Sequence, residues 1–193
     1  MPADSPPIDT LLGTRIHTLR AAQGLTLDAL ARRAGVSRAM LSRIERGESS
    51  PTAQLLNRIC GGLGVTLSAL FAGADTPPTP LARHADQPLW RDPASGYLRR
   101  AVSPPGPGVS VDIVEIIFPP SGDVAFAPQR LPEADQQIWI LAGHLEVTMG
   151  AAPICLETGD CLRTGLDRPI RFRNPSADPV RYAVIVSHRA RTP

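Results

Sequence analysis

The chain has 193 residues, which is enough for one large domain or two small ones. No stretch approaches the roughly 18 consecutive apolar residues of a membrane-spanning helix, which excludes a helical span. The N-terminal residues MPADSPPIDT lack the basic and apolar regions of a secretion signal, so we expect a cytoplasmic protein. The three cysteines form no CxxC pair and therefore do not indicate a zinc site.

The net charge of +2 is unevenly distributed along the chain. Residues 1–73 contain eight arginines and five acidic residues, a net +3, and the remainder has a net charge of −1. A single copy with this modest positive excess would bind nucleic acid weakly and with strong dependence on salt.

Residues 8–71 have the apolar spacing of a series of short helices. We predict a first helix over about residues 8–23 and a second over residues 27–34. Thr26 has a side chain suited to the N-cap of the second helix. Gly35 follows its last periodic residue, where a left-handed C-cap is favourable for glycine.

Ser37 is expected to cap a third helix over residues 38–46, with Leu41 and Ile44 facing inward. Ser50-Pro51 predicts the opening of a fourth helix, with proline in the first turn. Thr66 is expected to cap a short fifth helix. The side chains left for the outer face of the third helix are small, polar or basic: Arg38, Ala39, Ser42 and Arg43.

Residues 14–71 resemble the Cro/C1-type (Xre family) helix-turn-helix domain. The residues that carry the resemblance include Gly24, Leu25, Thr26, Leu30, Ala31, Gly35, Val36, Ser37, Leu41, Ser42, Ile44, Glu45, Gly47 and Pro51. The resemblance implies that the helix over residues 38–46 enters the major groove of double-stranded DNA. It also implies a pair between Arg20 and Glu45 that links the first and third helices.

Carried over position by position, the resemblance divides the DNA contacts into two groups. The residues expected at base edges are Arg38, Ala39 and Arg43. The residues expected near phosphates are Thr26, Ser37, Ser42 and Arg46. An arginine can bond bidentately to guanine, whereas an alanine can only contact a thymine methyl group or leave space. The alternative is that these arginines form a solvated helix face.

A proline-rich stretch, AGADTPPTP, follows the helical part and indicates a linker. We divide the chain into a helical domain over residues 8–73, a linker over residues 74–84 and a β-rich domain over residues 85–190. Trp90 and Tyr97 are expected to be packing anchors of the last of these.

Short β-branched and apolar runs predict strands over residues 109–118, 136–141, 170–173 and 180–187. Ala142-Gly143 predicts a hairpin between QQIWIL and HLEVTM. Several short strands with Gly, Pro and Asp between them favour a β-sandwich or small barrel.

The second half resembles a small cupin domain through two segments, IWILAGHLEVTMG and LETGDCLRTGLDRPIRFRN. The two resemblances together predict an α + β fold in two domains: a five-helix, lambda-repressor-like helix-turn-helix domain followed by a cupin barrel, a double-stranded β-helix.

Cupin enzymes hold a divalent metal with three histidines and a glutamate. In this chain the corresponding positions fall at Gln129, Leu131, Gln136 and Ile170. Because none of these residues supplies imidazole or carboxylate, we expect no metal and no cofactor in the barrel.

A barrel without metal still offers a pocket for one small molecule. The residues expected to line or rim it are Gln129, Arg130, Gln136, Ile138, Ile170, Arg171 and Arg173. Arginines there would suit an anion. Arg171 and Arg173 share one face of their strand, and the alternative is that both are surface charges.

The sequence therefore predicts a sequence-specific transcription regulator that binds a DNA operator, is controlled by a small-molecule effector, with an anion as one candidate, and acts as a homodimer. It is not expected to be an enzyme. Two alternatives stay open: a metal-dependent cupin enzyme with an accessory DNA-binding head, and a DNA-binding protein whose barrel only dimerises.

Overall fold

The computed structural model describes residues 8–71, 79–104, 106, 109–129 and 134–188. Within these residues, the N-terminal part consists of five α-helices: α1 (Ile8–Ala22), α2 (Leu27–Ala34), α3 (Arg38–Glu45), α4 (Ala53–Leu63) and α5 (Leu67–Phe71). No helix in the described ranges is long and apolar enough to cross a membrane.

The turn between α2 and α3 is fixed by the caps that the sequence predicts. The Thr26 hydroxyl oxygen accepts a hydrogen bond from the Ala29 backbone nitrogen at 3.1 Å. The Ser37 hydroxyl oxygen accepts one from the Met40 backbone nitrogen, also at 3.1 Å. Gly35 ends α2 in the left-handed region, with a φ of 63°, which costs glycine little. These predictions are confirmed.

The start of α4 differs from the prediction. The helix begins at Ala53 rather than at Ser50-Pro51, so Pro51 precedes the helix instead of lying in its first turn. Thr52 is the N-cap, and its hydroxyl oxygen accepts from the Leu55 backbone nitrogen at 3.2 Å. A threonine side chain can satisfy a free amide of the first turn, which proline cannot do, and this decides where the helix begins.

Helices α1 and α3 approach closely around Gly13. A Cβ atom at Gly13 would lie 2.3 Å from the Ile44 carbonyl oxygen. The approach buries Leu12, Ile16 and Leu41 between the helices, as their helical spacing predicts. The absence of a side chain at Gly13 therefore allows the close packing that holds α3 against α1.

The C-terminal part of the described chain consists of antiparallel β-strands after a short 3-10 turn at His84–Asp86. The strands are β1 (Leu89–Arg91), β2 (Leu98–Ala101), β3 (Val111–Phe118), β4 (Asp123–Phe126), β5 (Ala134–Ala142), β6 (His144–Thr148), β7 (Pro153–Glu157), β8 (Cys161–Gly165), β9 (Ile170–Arg173) and β10 (Val180–His188). They form one sheet in the order β1-β2-β3-β10-β5-β8 and a second in the order β4-β9-β6-β7. The predicted two-domain α + β fold with a cupin-like barrel is confirmed.

The predicted hairpin around Gly143 is wrong. β5 pairs with β10 and β8, whereas β6 pairs with β7 and β9 in the other sheet. A single residue is too short for the two-residue turns that close antiparallel hairpins. Gly143, with a φ of 89° and the Val180 Cα 3.2 Å from where its Cβ would lie, instead carries the chain from one sheet to the other.

A chain of aromatic rings runs from α5 through the barrel interior. Neighbouring ring centroids lie 5.6 to 6.4 Å apart along Phe71, Trp90, Tyr97, Phe118 and Tyr182. Trp90 and Tyr97 are 1% and 4% exposed, which confirms their prediction as packing anchors.

The helical part packs against the barrel through buried polar contacts. The Asp92 carboxylate accepts a hydrogen bond from the Ala53 backbone nitrogen, at the start of α4, at 2.9 Å. The helices end at Phe71 and the first strand begins at Leu89. Residues 72–78, which include the first five residues of the predicted linker, lie outside the described residues, so the division at residues 74–84 stays a prediction.

Candidate nucleic-acid interface and barrel cavity

The outer face of α3 is accessible along its length. Leu41 and Ile44 face the core at 0% and 1% exposure, which turns the opposite side chains to the surface. The residues predicted to contact DNA are exposed, except for half-buried Ser42: Thr26, Ser37, Arg38, Ala39, Ser42, Arg43 and Arg46. The fold therefore brings together on one surface the side chains that the sequence places there.

The arginines of this surface differ in how firmly they are held. Arg38 lies 3.3 Å from Asp28 in a pair whose side chains are both more than half exposed. Arg46 donates to both carboxylate oxygens of Glu48, and this hydrogen bonding raises the pKa of Arg46 and lowers that of Glu48. In the described structure no ion pair holds Arg43. Exposed pairs contribute little stability, so these side chains can exchange them for a ligand.

The two capping hydroxyls can each serve a second partner. The oxygen atoms of Thr26 and Ser37 already accept from backbone nitrogens at the starts of α2 and α3. A hydroxyl group also carries one hydrogen that it can donate. Both caps therefore place a donor at a helix N-terminus, where anions bind favourably.

The predicted pair between Arg20 and Glu45 is present. Arg20 donates to the two Glu45 carboxylate oxygens at 2.6 and 2.7 Å, and to the Leu25 carbonyl oxygen at 2.9 Å. The bond to Glu45 raises the pKa of Arg20, against the lowering effect of burial. The pair ties the end of α3 to α1 and to the loop before α2.

The comparisons with known proteins agree with this geometry. Residues 16–70 match the family model described as helix-turn-helix. The chain is 25% identical over 177 residues to the HTH-type transcriptional regulator SutR of Escherichia coli, covering 92% of this chain and 94% of SutR. The chain is a transcriptional regulator with an N-terminal helix-turn-helix domain. It is also 23% identical to the regulator PuuR of Escherichia coli, over 93% of this chain and 95% of PuuR.

A solved structure matches the whole architecture of this regulator. The crystal structure of an HTH_3 family transcriptional regulator from Vibrio cholerae superposes with a TM-score of 0.77 at 27% identity. The match covers 95% of this chain and 98% of that one, so the two share both the helical and the β-rich part.

The barrel of the regulator encloses a cavity of ≈ 80 Å³, several times what one water molecule needs. Most of its wall comes from the inner faces of the two sheets. Loops of the β-rich part contribute further residues, and the helical part contributes Asn57, Thr66, Leu67 and Ser68. The cavity therefore lies at the junction of the DNA-binding helices and the barrel.

The structure places only part of the predicted pocket lining at this cavity. Gln129, Gln136 and Ile170 line it. Ile138 is fully buried on the same strand face as Gln136 but is not among the lining residues. Arg130 lies outside the described residues.

The prediction that Arg171 and Arg173 line the pocket is wrong. Both point outward from β9, whose buried residues are Ile170 and Phe172. Arg171 donates to Asp123 at 2.8 Å and Arg173 donates to Glu146 at 3.0 Å. Strand alternation gives the two arginines one shared face but does not say which face is inside, and each arginine has an acidic partner at the surface.

The residues at the positions of cupin metal ligands do not fit a divalent metal. Gln129 and Gln136 offer amides, and the Gln136 side-chain nitrogen donates to the Thr164 hydroxyl at 3.3 Å. Ile170 has no donor atom, and Leu131 is outside the described residues. In the ranges that the structure describes, no group of three or more His, Cys, Asp or Glu side chains could hold a metal ion. Divalent catalytic metals need imidazole and carboxylate, which this set does not supply.

The sequence reasoning missed Arg99, which lines the cavity. Arg99 is 5% exposed, and burial lowers its pKa against the raising influence of Tyr97, Cys60 and Asp112. The signal was strand alternation: Tyr97 and Arg99 are two residues apart and therefore share a face, and the anchor role predicted for Tyr97 makes that face the inner one.

Proposed function

We propose that α3 reads a DNA operator in the major groove, with Arg38, Ala39 and Arg43 at base edges. Thr26, Ser37, Ser42 and Arg46 contact the phosphates on either side. The observation that carries this proposal is the exposed face of α3 beside two capped helix N-termini. Bases specify the site and phosphates fix the register, which is the division of labour in helix-turn-helix recognition.

We propose further that a small molecule in the barrel cavity controls DNA binding, without a metal and without catalysis. The cavity is supported as an effector site by its wall, to which the helical and β-rich parts both contribute. An effector that prefers one arrangement of the two parts shifts the population toward that arrangement. Of the helices that line the cavity, α4 packs against α2, the helix that precedes α3.

The regulator acts as a cytoplasmic homodimer in this proposal. The outer face of the six-stranded sheet exposes Val111, Ile113 and Trp139, each 39–47% accessible. A second copy that covers this face would bury the apolar side chains. A dimer would also present two DNA-binding surfaces to the operator. This compensates for the weak binding expected from the small positive charge of one helical part.

Gel-shift titration tests the operator proposal directly. The purified regulator is titrated into duplex from upstream of its own gene, with a scrambled duplex of equal length and composition as control. We expect a complex with the upstream duplex that persists at salt concentrations where the scrambled duplex is released. Equal affinity for both duplexes at low salt would contradict sequence-specific binding.

A further inference from the structure

Building on the proposed function, we propose that the cavity binds a small organic monoanion, a monocarboxylate, with its charged group on the Arg99 guanidinium. The same contact reaches the DNA-binding part, because Arg99 touches α5.

Arg99 is a buried cation that forms no direct ion pair within the described part of the chain. Its Nε atom has no hydrogen-bond partner among the residues that the structure describes. Its Nη2 donates to the Ser68 hydroxyl at 2.9 Å, and its guanidinium carbon lies 4.9 Å from the centre of the Phe71 ring. Among the described residues no carboxylate forms an ion pair with Arg99, although the charge of Asp112 acts on it. A buried charge is costly unless it is paired, so the site favours an anion.

The remaining polar groups of the described lining are suited to the same ligand. The charged residues of that lining are Arg99 and Arg168, and no acidic residue is among them. Tyr97 and Tyr182 keep their hydroxyl hydrogens, because burial raises the pKa of both. Phenol and guanidinium groups donate to a carboxylate, whereas nothing in this set would neutralise a cationic amine.

The charge and size of the cavity narrow the class of anion. Arg168 is exposed and lies 3.7 Å from Asp167. Within the described lining, Arg99 is therefore the one deeply buried cation, and it compensates a single negative charge. Aromatic side chains form much of the described wall: Tyr97, Phe118, Phe126, Phe172 and Tyr182. A carboxylate with a short apolar body matches this wall better than sulfate or phosphate does.

Arg99 connects the anion site to the helical part through α5, which packs against α1 and α4. Its guanidinium is held by Ser68 and Phe71, which both belong to α5. An anion at Nε fixes the guanidinium in one orientation and so favours one placement of α5 against the barrel. By linkage, operator DNA then changes the affinity for the anion by the same factor that the anion changes the affinity for DNA.

Thermal unfolding of the full chain with matched probes tests the class of ligand. The probes are propionate, butyrate and benzoate, the uncharged amides of the same acids, propylamine, and sulfate. We expect at least one carboxylate to raise the Tm by about 5–10 °C at a hundred times its Kd, with no response to its amide or to the amine. An equal response to acid and amide, an equal response to sulfate, or no response to any carboxylate would overturn the proposal.

Substitutions at Arg99 test the position of the charge. Arg99→Met should remove the carboxylate response, and Arg171→Met, on the outer face, should leave it unchanged. If Arg99→Met does not fold, Arg99→Lys is measured instead. Lysine keeps the charge but lacks the paired N–H donors of the guanidinium, so the Kd for the carboxylate should be about tenfold higher or more. An unchanged Kd in a folded Arg99 variant would contradict the site.

Operator binding by the ligand-free wild-type protein is measured beside these experiments. A sequence-specific complex without any carboxylate response sinks the anion site alone and leaves operator recognition intact. Absence of a sequence-specific complex contradicts the proposed function, whatever the carboxylates do to the Tm.

Discussion

The Gln129 side-chain nitrogen donates to two oxygen atoms of Asn57: the side-chain oxygen at 2.7 Å and the backbone carbonyl oxygen at 3.1 Å. The Asn57 side-chain nitrogen in turn donates to the Ala127 carbonyl oxygen at 2.9 Å. These bonds join α4 to the segment after β4, and both side chains are buried. Gln129 and Asn57 also line the cavity. Their hydrogen bonds therefore connect the cavity with α4, which packs against α2.

We predict that Gln129 and Asn57 are energetically coupled. Replacing either by alanine leaves a buried polar partner unsatisfied and should lower the free energy of unfolding by about 1–3 kcal/mol. Urea unfolding of the two single variants and the double variant should give an interaction energy of about 0.5 kcal/mol or more. Gln54→Ala, at an exposed position of α4, is the control. Strict additivity of the two substitutions would contradict the coupling.

Arg20→Ala should destabilise the helical part. The Glu45 side chain is 7% exposed, and without its partner it becomes a buried, uncompensated carboxylate. The expected loss is about 3 kcal/mol, which lowers the Tm by roughly 6–12 °C. Differential scanning calorimetry measures the change, with Arg33→Ala on the exposed face of α2 as control. A Tm equal to that of the wild type would reject the structural role of the pair.

Two glycine substitutions in helices should have opposite effects. At Gly13 a Cβ would meet the Ile44 carbonyl oxygen, so Gly13→Ala must push α1 and α3 apart at a cost of about 1–3 kcal/mol. At Gly61 no atom lies within 4 Å of an added Cβ. Gly61→Ala should therefore stabilise α4 by about 0.5–1 kcal/mol through helix propensity. Chemical denaturation measures the stability of both variants. Equal destabilisation by Gly13→Ala and Gly61→Ala would contradict the packing described for α1 and α3.

The pair of Asp123 and Arg171 should add a small pH dependence to stability. Hydrogen bonding to Arg171 lowers the pKa of Asp123 from 3.8. Because the pKa of Asp123 is lower in the folded state, ionised Asp123 stabilises the folded protein at pH values above 3.8. This contribution disappears as the pH falls through the folded-state pKa. Asp123→Asn should therefore be slightly less stable than the wild type at pH 7 and equal to it near pH 2. The contribution is small because both side chains are exposed. The same difference at both pH values would contradict this origin.

Local chemistry made most of the helical part predictable. Thr26, Gly35 and Ser37 each act on backbone groups within a few residues, so their caps could be read from the sequence. The start of α4 was mispredicted because two adjacent residues, Pro51 and Thr52, are both acceptable at the beginning of a helix. The pair of Arg20 and Glu45 spans 25 positions, and only the family resemblance indicated it.

The barrel was harder to predict because its pairings are distant in sequence. β5 and β6 are separated by Gly143 alone, yet each pairs with strands far along the chain. The outward direction of Arg171 depends on Asp123, a residue 48 positions away. Arg99 lies in a stretch for which no strand was predicted, and its role depends on Ser68 and Phe71 from the other part of the molecule. Contacts of this kind are decided by the tertiary fold and not by local propensity.

The base preference of the regulator at every position of its operator tests whether α3 reads bases. Wild type, Arg43→Ala and Arg46→Ala are each equilibrated with a pool of duplexes that carry every single-base change in the site. The wild type should discriminate among bases, and Arg43→Ala should lose about tenfold or more of that discrimination at one position of each half-site. Arg46→Ala, at a phosphate position, should weaken binding evenly across the pool. An Arg43→Ala protein that keeps the full wild-type preference at every position, or loses affinity evenly across all duplexes, would contradict base reading by Arg43.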